Sequence, residues 1–214
     1  MSQKVFNLII LDASGSMEAI RKQAIDGVNE TIQTIKAEQD KDPDMLQFVT
    51  FVSFNSAMTN VVYDRVLANK VTELRPQDYV PNCCTPLYDA VGTAVTNLRD
   101  YVDKDDTVLV TVITDGYENA SREFNGPAIY KLIGEMREKG WIFTYIGANQ
   151  DVEKVAQSLN INNRMSFCSS EEGTKEMFAK EKESRGRFYE RLRSFKSGNM
   201  SKEDFDSSSF FDNF

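Results

Sequence analysis

The sequence contains no histidine and only three cysteines among its 214 residues. The absence of histidine excludes catalytic triads that use a histidine base, and it excludes zinc sites with histidine ligands. Cys83, Cys84 and Cys168 are too few and too unevenly placed for a disulfide framework, which favours a reducing compartment. A surplus of basic residues is also lacking. The formal net charge of −8 argues against a general nucleic-acid surface and against an anionic-membrane surface.

The first residues contain neither a secretion signal nor a membrane span, because the opening apolar segment is short and ends at Asp12. We therefore expect a cytoplasmic protein. The length and the apolar fraction of 41% fit one ordinary soluble domain with a proper core.

Two apolar segments each end at a carboxylate. The stretch 6–11 is typical of a strand buried on both faces and is followed by Asp12, and 107–114 is a second such strand followed by Asp115. In open α/β sheets, ligands bind beyond the carboxyl ends of the strands. We therefore expect both carboxylates at the functional edge of one sheet.

Strand and helix patterns alternate along the chain. The predicted order is strand 6–12, a helix with apolar residues from 20 to 35, strands 45–54 and 58–66 joined as a hairpin, helix 86–101, strand 107–114, helix 128–139, strand 141–146, helix 151–159 and edge strand 164–168. This alternation predicts a three-layer α/β/α, doubly wound, Rossmann-like architecture. Its sheet is mostly parallel with one antiparallel hairpin strand.

The composition changes towards the C-terminus. We predict one domain over 1–170, a basic amphipathic helix over 171–196, and a flexible acidic and aromatic tail over 197–214. The outer face of the helix is expected to be solvated, with its apolar side packed on the domain.

Oxygen-bearing side chains concentrate at the predicted functional edge. Asp12, Ser14 and Ser16 share one strand-to-helix loop, in which Gly15 allows a tight turn. Asp115 and Thr85 lie on loops expected at the same edge. Such hard donors suit Mg²⁺ or Mn²⁺ rather than a soft metal. A second interpretation remains open, in which Ser14 or Ser16 and Thr85 only cap helices and Asp115 makes a turn.

Three segments together resemble the metal-ion-dependent adhesion site of von Willebrand factor A (vWA) domains. They are DASGS at 12–16, TPLYDA at 85–90 and ITDG at 113–116, and the resemblance covers roughly residues 4–168. It implies a vWA fold of the intracellular bacterial or phage type, including domains linked to tellurium resistance. It also implies a bound Mg²⁺, with Mn²⁺ or Ca²⁺ as alternatives. Asp12, Ser14 and Ser16 would form the core of the coordination shell, with Thr85 and Asp115 binding directly or through water.

The resemblance further implies a function without catalysis. The cation would keep one open position, which an Asp or Glu side chain of a partner protein fills. The sequence departs from the family at Cys83 and Cys84, where related domains usually have glycines, and we expect two small, half-buried residues there. Asn119, on the third loop, either orients that loop or is a solvated turn residue, and the second interpretation is favoured.

Two other functions stay open. A Mg²⁺-dependent phosphohydrolase of the haloacid dehalogenase type also begins with an aspartate after its first strand, but it needs a second acid where this chain has Ser14. A scaffold with a vestigial metal site, acting through its C-terminal helix and tail, is the third possibility. A serine hydrolase is excluded, because the chain lacks a G-x-S-x-G elbow and a histidine base.

Overall fold

The computed structural model describes residues 3–211 and contains one six-stranded sheet with helices on both faces. The strands are β1 Gln3–Asp12, β2 Met45–Phe54, β3 Thr59–Leu67, β4 Thr107–Thr114, β5 Ile142–Gly147 and β6 Asn163–Ser166. The helices are α1 Arg21–Lys41, α2 Leu87–Arg99, α3 Gly126–Glu138, α4 Val152–Ser158, α5 Glu171–Lys196 and α6 Lys202–Ser207.

The sheet has the strand order β3-β2-β1-β4-β5-β6. All neighbours are parallel except β2 and β3, which form the antiparallel hairpin at one edge. The predicted fold class is therefore confirmed. Residue Leu11 of β1 lies opposite Ile113 of β4, so Asp12 and Asp115 emerge side by side from the two central strands.

Two hydrophobic layers cover the sheet. One contains β1 side chains such as Ile9 together with α1 and α5, and the other contains Leu8 and Ile10 with α2, α3 and α4. The alternation of β1 side chains between the two faces explains why residues 5–11 are apolar except for Asn7, since both faces are buried. Within residues 3–211, no helix is both long enough and apolar enough to cross a membrane.

The C-terminal segment packs against the rest of the domain. Helix α5 lies beside α1, and its Phe188 and Leu192 belong to the same cluster as Ile9. Beyond α6, Phe210 and Phe211 are also buried in this cluster. The division at residues 170 and 196 stays a prediction. For the tail, the structure shows a short helix and buried aromatic rings up to residue 211, and 212–214 lie outside the described residues.

A buried polar cluster joins α5 to the central strands. Arg185 is fully buried, and its guanidinium donates hydrogen bonds to Glu181, to Asn7 Oδ1 at 2.9 Å and to Thr111 Oγ1 at 3.1 Å. Burial lowers the pKa of Arg185, but the Glu181 carboxylate and Tyr189 together raise it by more, so the net pKa lies above its ordinary value. The outer face of α5 is predicted to be solvated, but Arg185 lies on the buried face of this helix.

Candidate metal centre

Asp12 is held rigidly at the end of β1. Its Oδ1 accepts a hydrogen bond from Ser14 N at 2.7 Å, and its Oδ2 accepts one from Thr114 Oγ1 at 2.6 Å. Its main-chain oxygen accepts a hydrogen bond from the Tyr79 hydroxyl at 2.6 Å. Burial raises the pKa of Asp12 to about 6 in spite of the hydrogen bonds from Thr114 and Ser14, and the nearby charge of Asp115 raises it further. A bound cation would favour the ionised form.

The serine hydroxyls connect the first loop to Asp115. Ser16 Oγ donates a hydrogen bond to Asp115 Oδ1 at 2.5 Å, and the Oγ atoms of Ser14 and Ser16 lie 3.2 Å apart. The second oxygen of Asp115 accepts a hydrogen bond from Ser169 Oγ at 3.2 Å. Ser169 lies between β6 and α5, and sequence reasoning missed it because no motif marks that fourth loop.

Thr85 approaches from the loop before α2. Its side chain is buried, and a Cβ built on Gly116 would lie 3.6 Å from Thr85 Oγ1, so the hydroxyl lies beside the Asp115 loop. The loop is attached to the end of β1 by two main-chain hydrogen bonds, Gly15 N to Cys83 O at 3.0 Å and Asn82 N to Ala13 O at 2.8 Å. The structure thus brings all five predicted residues to one edge of the sheet.

The capping interpretation finds no support in the hydrogen bonds. Ser14 stands at the N-cap of the 3₁₀ helix Gly15–Ile20, and Pro86 stands at the N-cap of α2, but neither helix has a side-chain cap. The first amides of α2 are instead satisfied from the Asp115 loop. Tyr88 N donates to Glu118 Oε2 at 2.9 Å, and the next amide, at residue 89, donates to Ser121 Oγ at 3.1 Å.

Asn119 is exposed, as expected of a solvated turn residue, but its side chain also contacts the second loop. Its Oδ1 accepts a hydrogen bond from Thr85 N at 2.8 Å, and its own N–H donates to Thr85 O at 3.1 Å. The available signal was its position four residues after Asp115, on a loop that shares a sheet edge with Thr85.

The two cysteines in the second loop are exposed, not half-buried as predicted. Cys83 adopts φ = +59°, which is the left-handed region that favours glycine. Its backbone therefore follows a conformation that glycine would adopt without strain, although the residue itself differs from the glycines usual in the family.

The donor set fits a hard divalent cation. It consists of two carboxylates and three hydroxyls, which are ligand types that Mg²⁺ and Mn²⁺ accept when water completes the shell. Across residues 3–211, no group of three or more histidine, cysteine, aspartate or glutamate side chains is placed to hold a metal. Metal binding at this edge would therefore depend on the hydroxyl ligands, and it stays a prediction.

Comparison with known proteins shows the fold. No family model and no curated protein sequence matches the chain. Among solved structures, the PilB minor pilin from Streptococcus sanguinis superposes with a TM-score of 0.57 at 13% identity, over 86% of this chain and 61% of that one. The vWF domain of the type V pili tip protein Mfa5 from Porphyromonas gingivalis gives a TM-score of 0.54 at 10% identity, over 84% and 95% of the two chains.

A third solved structure, the SpRpn10 VWA domain, gives a TM-score of 0.53 at 11% identity, over 83% of this chain and 94% of that one. These likenesses show that the chain has a vWA-like fold. The chain spans only 61% of the length of PilB, so the likeness to that protein concerns one part of it.

Proposed function

We propose that the protein is a non-enzymatic, divalent-metal-dependent protein-binding module. The observation that carries this proposal is the continuous contact from Asp12 through Ser14 and Ser16 to Asp115, with Thr85 beside it. The N-cap residues of the 3₁₀ helix and of α2 make no side-chain cap hydrogen bond, so helix capping does not account for the arrangement. The three free cysteines support a reducing, cytoplasmic setting for the module, as for the intracellular bacterial and phage domains that the motifs resemble.

In this proposal, Asp12, Ser14 and Ser16 hold Mg²⁺, or else Mn²⁺ or Ca²⁺, with Thr85 and Asp115 binding directly or through water. The cation supplies a coordination position for an Asp or Glu side chain of the partner protein. An acidic partner side chain can then approach a chain with net charge −8, because the ion reverses the local field. The chain's own residues bind the ion, and the hydrogen bonds from Ser14 N and Thr114 keep the Asp12 carboxylate oriented.

The first experiment is calorimetric titration of Mg²⁺ and Mn²⁺ into EDTA-treated protein. Wild-type protein should bind one ion, and Asp12→Ala should bind none. Asp26→Ala is the matched control, because Asp26 is an exposed carboxylate on α1 that pairs with Lys22. It should retain wild-type affinity. Native affinity in Asp12→Ala would refute the metal site.

The alternatives predict different results. Release of phosphate from generic phosphomonoesters in the presence of Mg²⁺ would favour the phosphohydrolase. The proposal expects none, since Ser14 stands where the second acid is needed and its hydroxyl contacts Ser16. Loss of partner binding on removal of the tail, with binding retained in Asp12→Ala, would favour the scaffold.

A further inference from the structure

We infer that Asn119 is the positioning residue that holds Thr85 at the metal centre; this inference rests on the proposed function. Thr85 precedes Pro86, which has no N–H, and it lies outside α2, which begins at Leu87. Both the N–H and the C=O of Thr85 bond to Asn119, at 2.8 Å and 3.1 Å. The orientation of the Thr85 side chain towards Gly116 therefore depends on Asn119.

The loop that presents Asn119 is itself firmly held. The carboxylate of Glu118 accepts hydrogen bonds from Ala120 N at 2.8 Å, from Ser121 N at 2.7 Å and from Ser121 Oγ at 2.7 Å. It also accepts one from Tyr88 N of α2 at 2.9 Å. Asn119 therefore lies on a turn that is held by several hydrogen bonds. A side chain can fix the position of a ligand residue only when its own backbone is held in this way.

The same loop also donates hydrogen bonds to a side chain of α2. The carboxylate of Asp89 accepts hydrogen bonds from the backbone N–H groups of residues 122, 123 and 124, at 2.8, 2.9 and 2.8 Å. Because α2 and the Asp115 loop cap one another, removal of the Asn119 side chain should leave the loop folded. The change would be local to Thr85, whose amide would lose its acceptor.

A double-mutant cycle measured by Mn²⁺ affinity tests the inference. Asn119→Ala should weaken Mn²⁺ binding by about tenfold, within the range for residues that orient a metal ligand. Asn119→Asp keeps an acceptor for Thr85 N and should bind at least as tightly as wild type. In a Thr85→Ala background, Asn119→Ala should have no further effect. Full additivity of the two losses would overturn the inference.

Asn125→Ala is the matched control variant. Asn125 lies on the same loop and accepts a hydrogen bond from Ala128 N at the start of α3. Its replacement removes an equivalent asparagine-to-backbone bond and should lower stability while Mn²⁺ affinity stays unchanged. An equal loss of Mn²⁺ affinity in Asn125→Ala and Asn119→Ala would show general loosening of the loop and would overturn the inference.

Hydrogen exchange separates this inference from the proposed function. In EDTA, the Thr85 amide should exchange at least about tenfold faster in Asn119→Ala than in wild type, and at the wild-type rate in Asn119→Asp, since an amide bonded to protein must open before it exchanges. Failure of the wild-type protein to bind Mn²⁺ would refute the proposed function alone. An unchanged exchange rate in Asn119→Ala would overturn the role of Asn119 whatever the metal result.

Discussion

Replacing Glu181 by glutamine is expected to destabilise the protein by about 3–5 kcal/mol, because the neighbouring guanidinium would keep a buried and unbalanced charge. The Arg185 and Glu181 side chains are 0% and 1% exposed. Glutamine preserves the shape of Glu181 and can still accept a hydrogen bond, so the variant isolates the loss of the negative charge. A loss of this size is a large part of the 5–15 kcal/mol typical of a folded domain.

Urea denaturation followed by fluorescence of the single tryptophan, Trp141, measures the effect. Glu183→Gln is the matched control. Glu183 pairs with Arg187 on the same helix at the same spacing, but its side chain is 65% exposed. An exposed pair of this kind contributes about 0–1 kcal/mol, so the midpoint should hardly move.

A third variant removes both charges. Glu181→Leu combined with Arg185→Met leaves no buried ion, and it should be less destabilised than Glu181→Gln, although Asn7 and Thr111 each lose a hydrogen bond. Two results would contradict the reasoning. One is a loss of less than about 1 kcal/mol in the free energy of unfolding of Glu181→Gln. The other is a lower free energy of unfolding for the double variant than for Glu181→Gln.

Three further predictions concern other parts of the molecule. The pKa of Asp12 is raised from 3.8 to about 6, so metal-free wild type should lose about 2.5 kcal/mol of stability between pH 4 and pH 7 relative to Asp12→Asn. Unfolding at a series of pH values in EDTA measures this, and parallel curves for the two proteins would disprove it. Gly27→Ala should cost about 1–3 kcal/mol in thermal unfolding, because a Cβ there would overlap with the Phe178 ring, whereas Gly186→Ala, with open space, should gain up to about 1 kcal/mol. Phe210→Ala should cost about 3 kcal/mol, since the ring is buried, and a change below about 0.5 kcal/mol in urea would show that the tail is only loosely attached.

The sequence was sufficient for the central strands of the sheet because β1 and β4 are buried on both faces. Short, mostly apolar segments are typical of such strands, and the helix patterns of period 3.6 between them leave little freedom in topology. The edge hairpin was also predictable, since Asn55 and Ser56 mark its turn.

The missed features depend on contacts between distant residues. A binary pattern assigns every arginine of α5 to solvent, and it cannot foresee that Asn7 and Thr111 would accept hydrogen bonds from Arg185 on the buried face. Ser169 was missed for a similar reason, and the contact between Asn119 and Thr85 could not be foreseen, because both roles appear only when the loops meet at this edge. The common position of the five proposed ligands was predictable, because each follows a strand or precedes a helix at one edge; their role as ligands stays a prediction.

The connection between α5 and β1 has a consequence for synthesis of the chain. Asn7 Oδ1 accepts hydrogen bonds from Arg185 and from the Tyr189 hydroxyl, across sequence separations of 178 and 182 residues. A nascent chain that still lacks these residues leaves part of one face of its central strand uncovered, including the Asn7 side chain. Final packing of the domain must therefore follow translation of α5. Contacts of such high sequence separation slow folding and leave incomplete chains prone to aggregation, so chaperone dependence is expected on the ribosome rather than in the finished molecule.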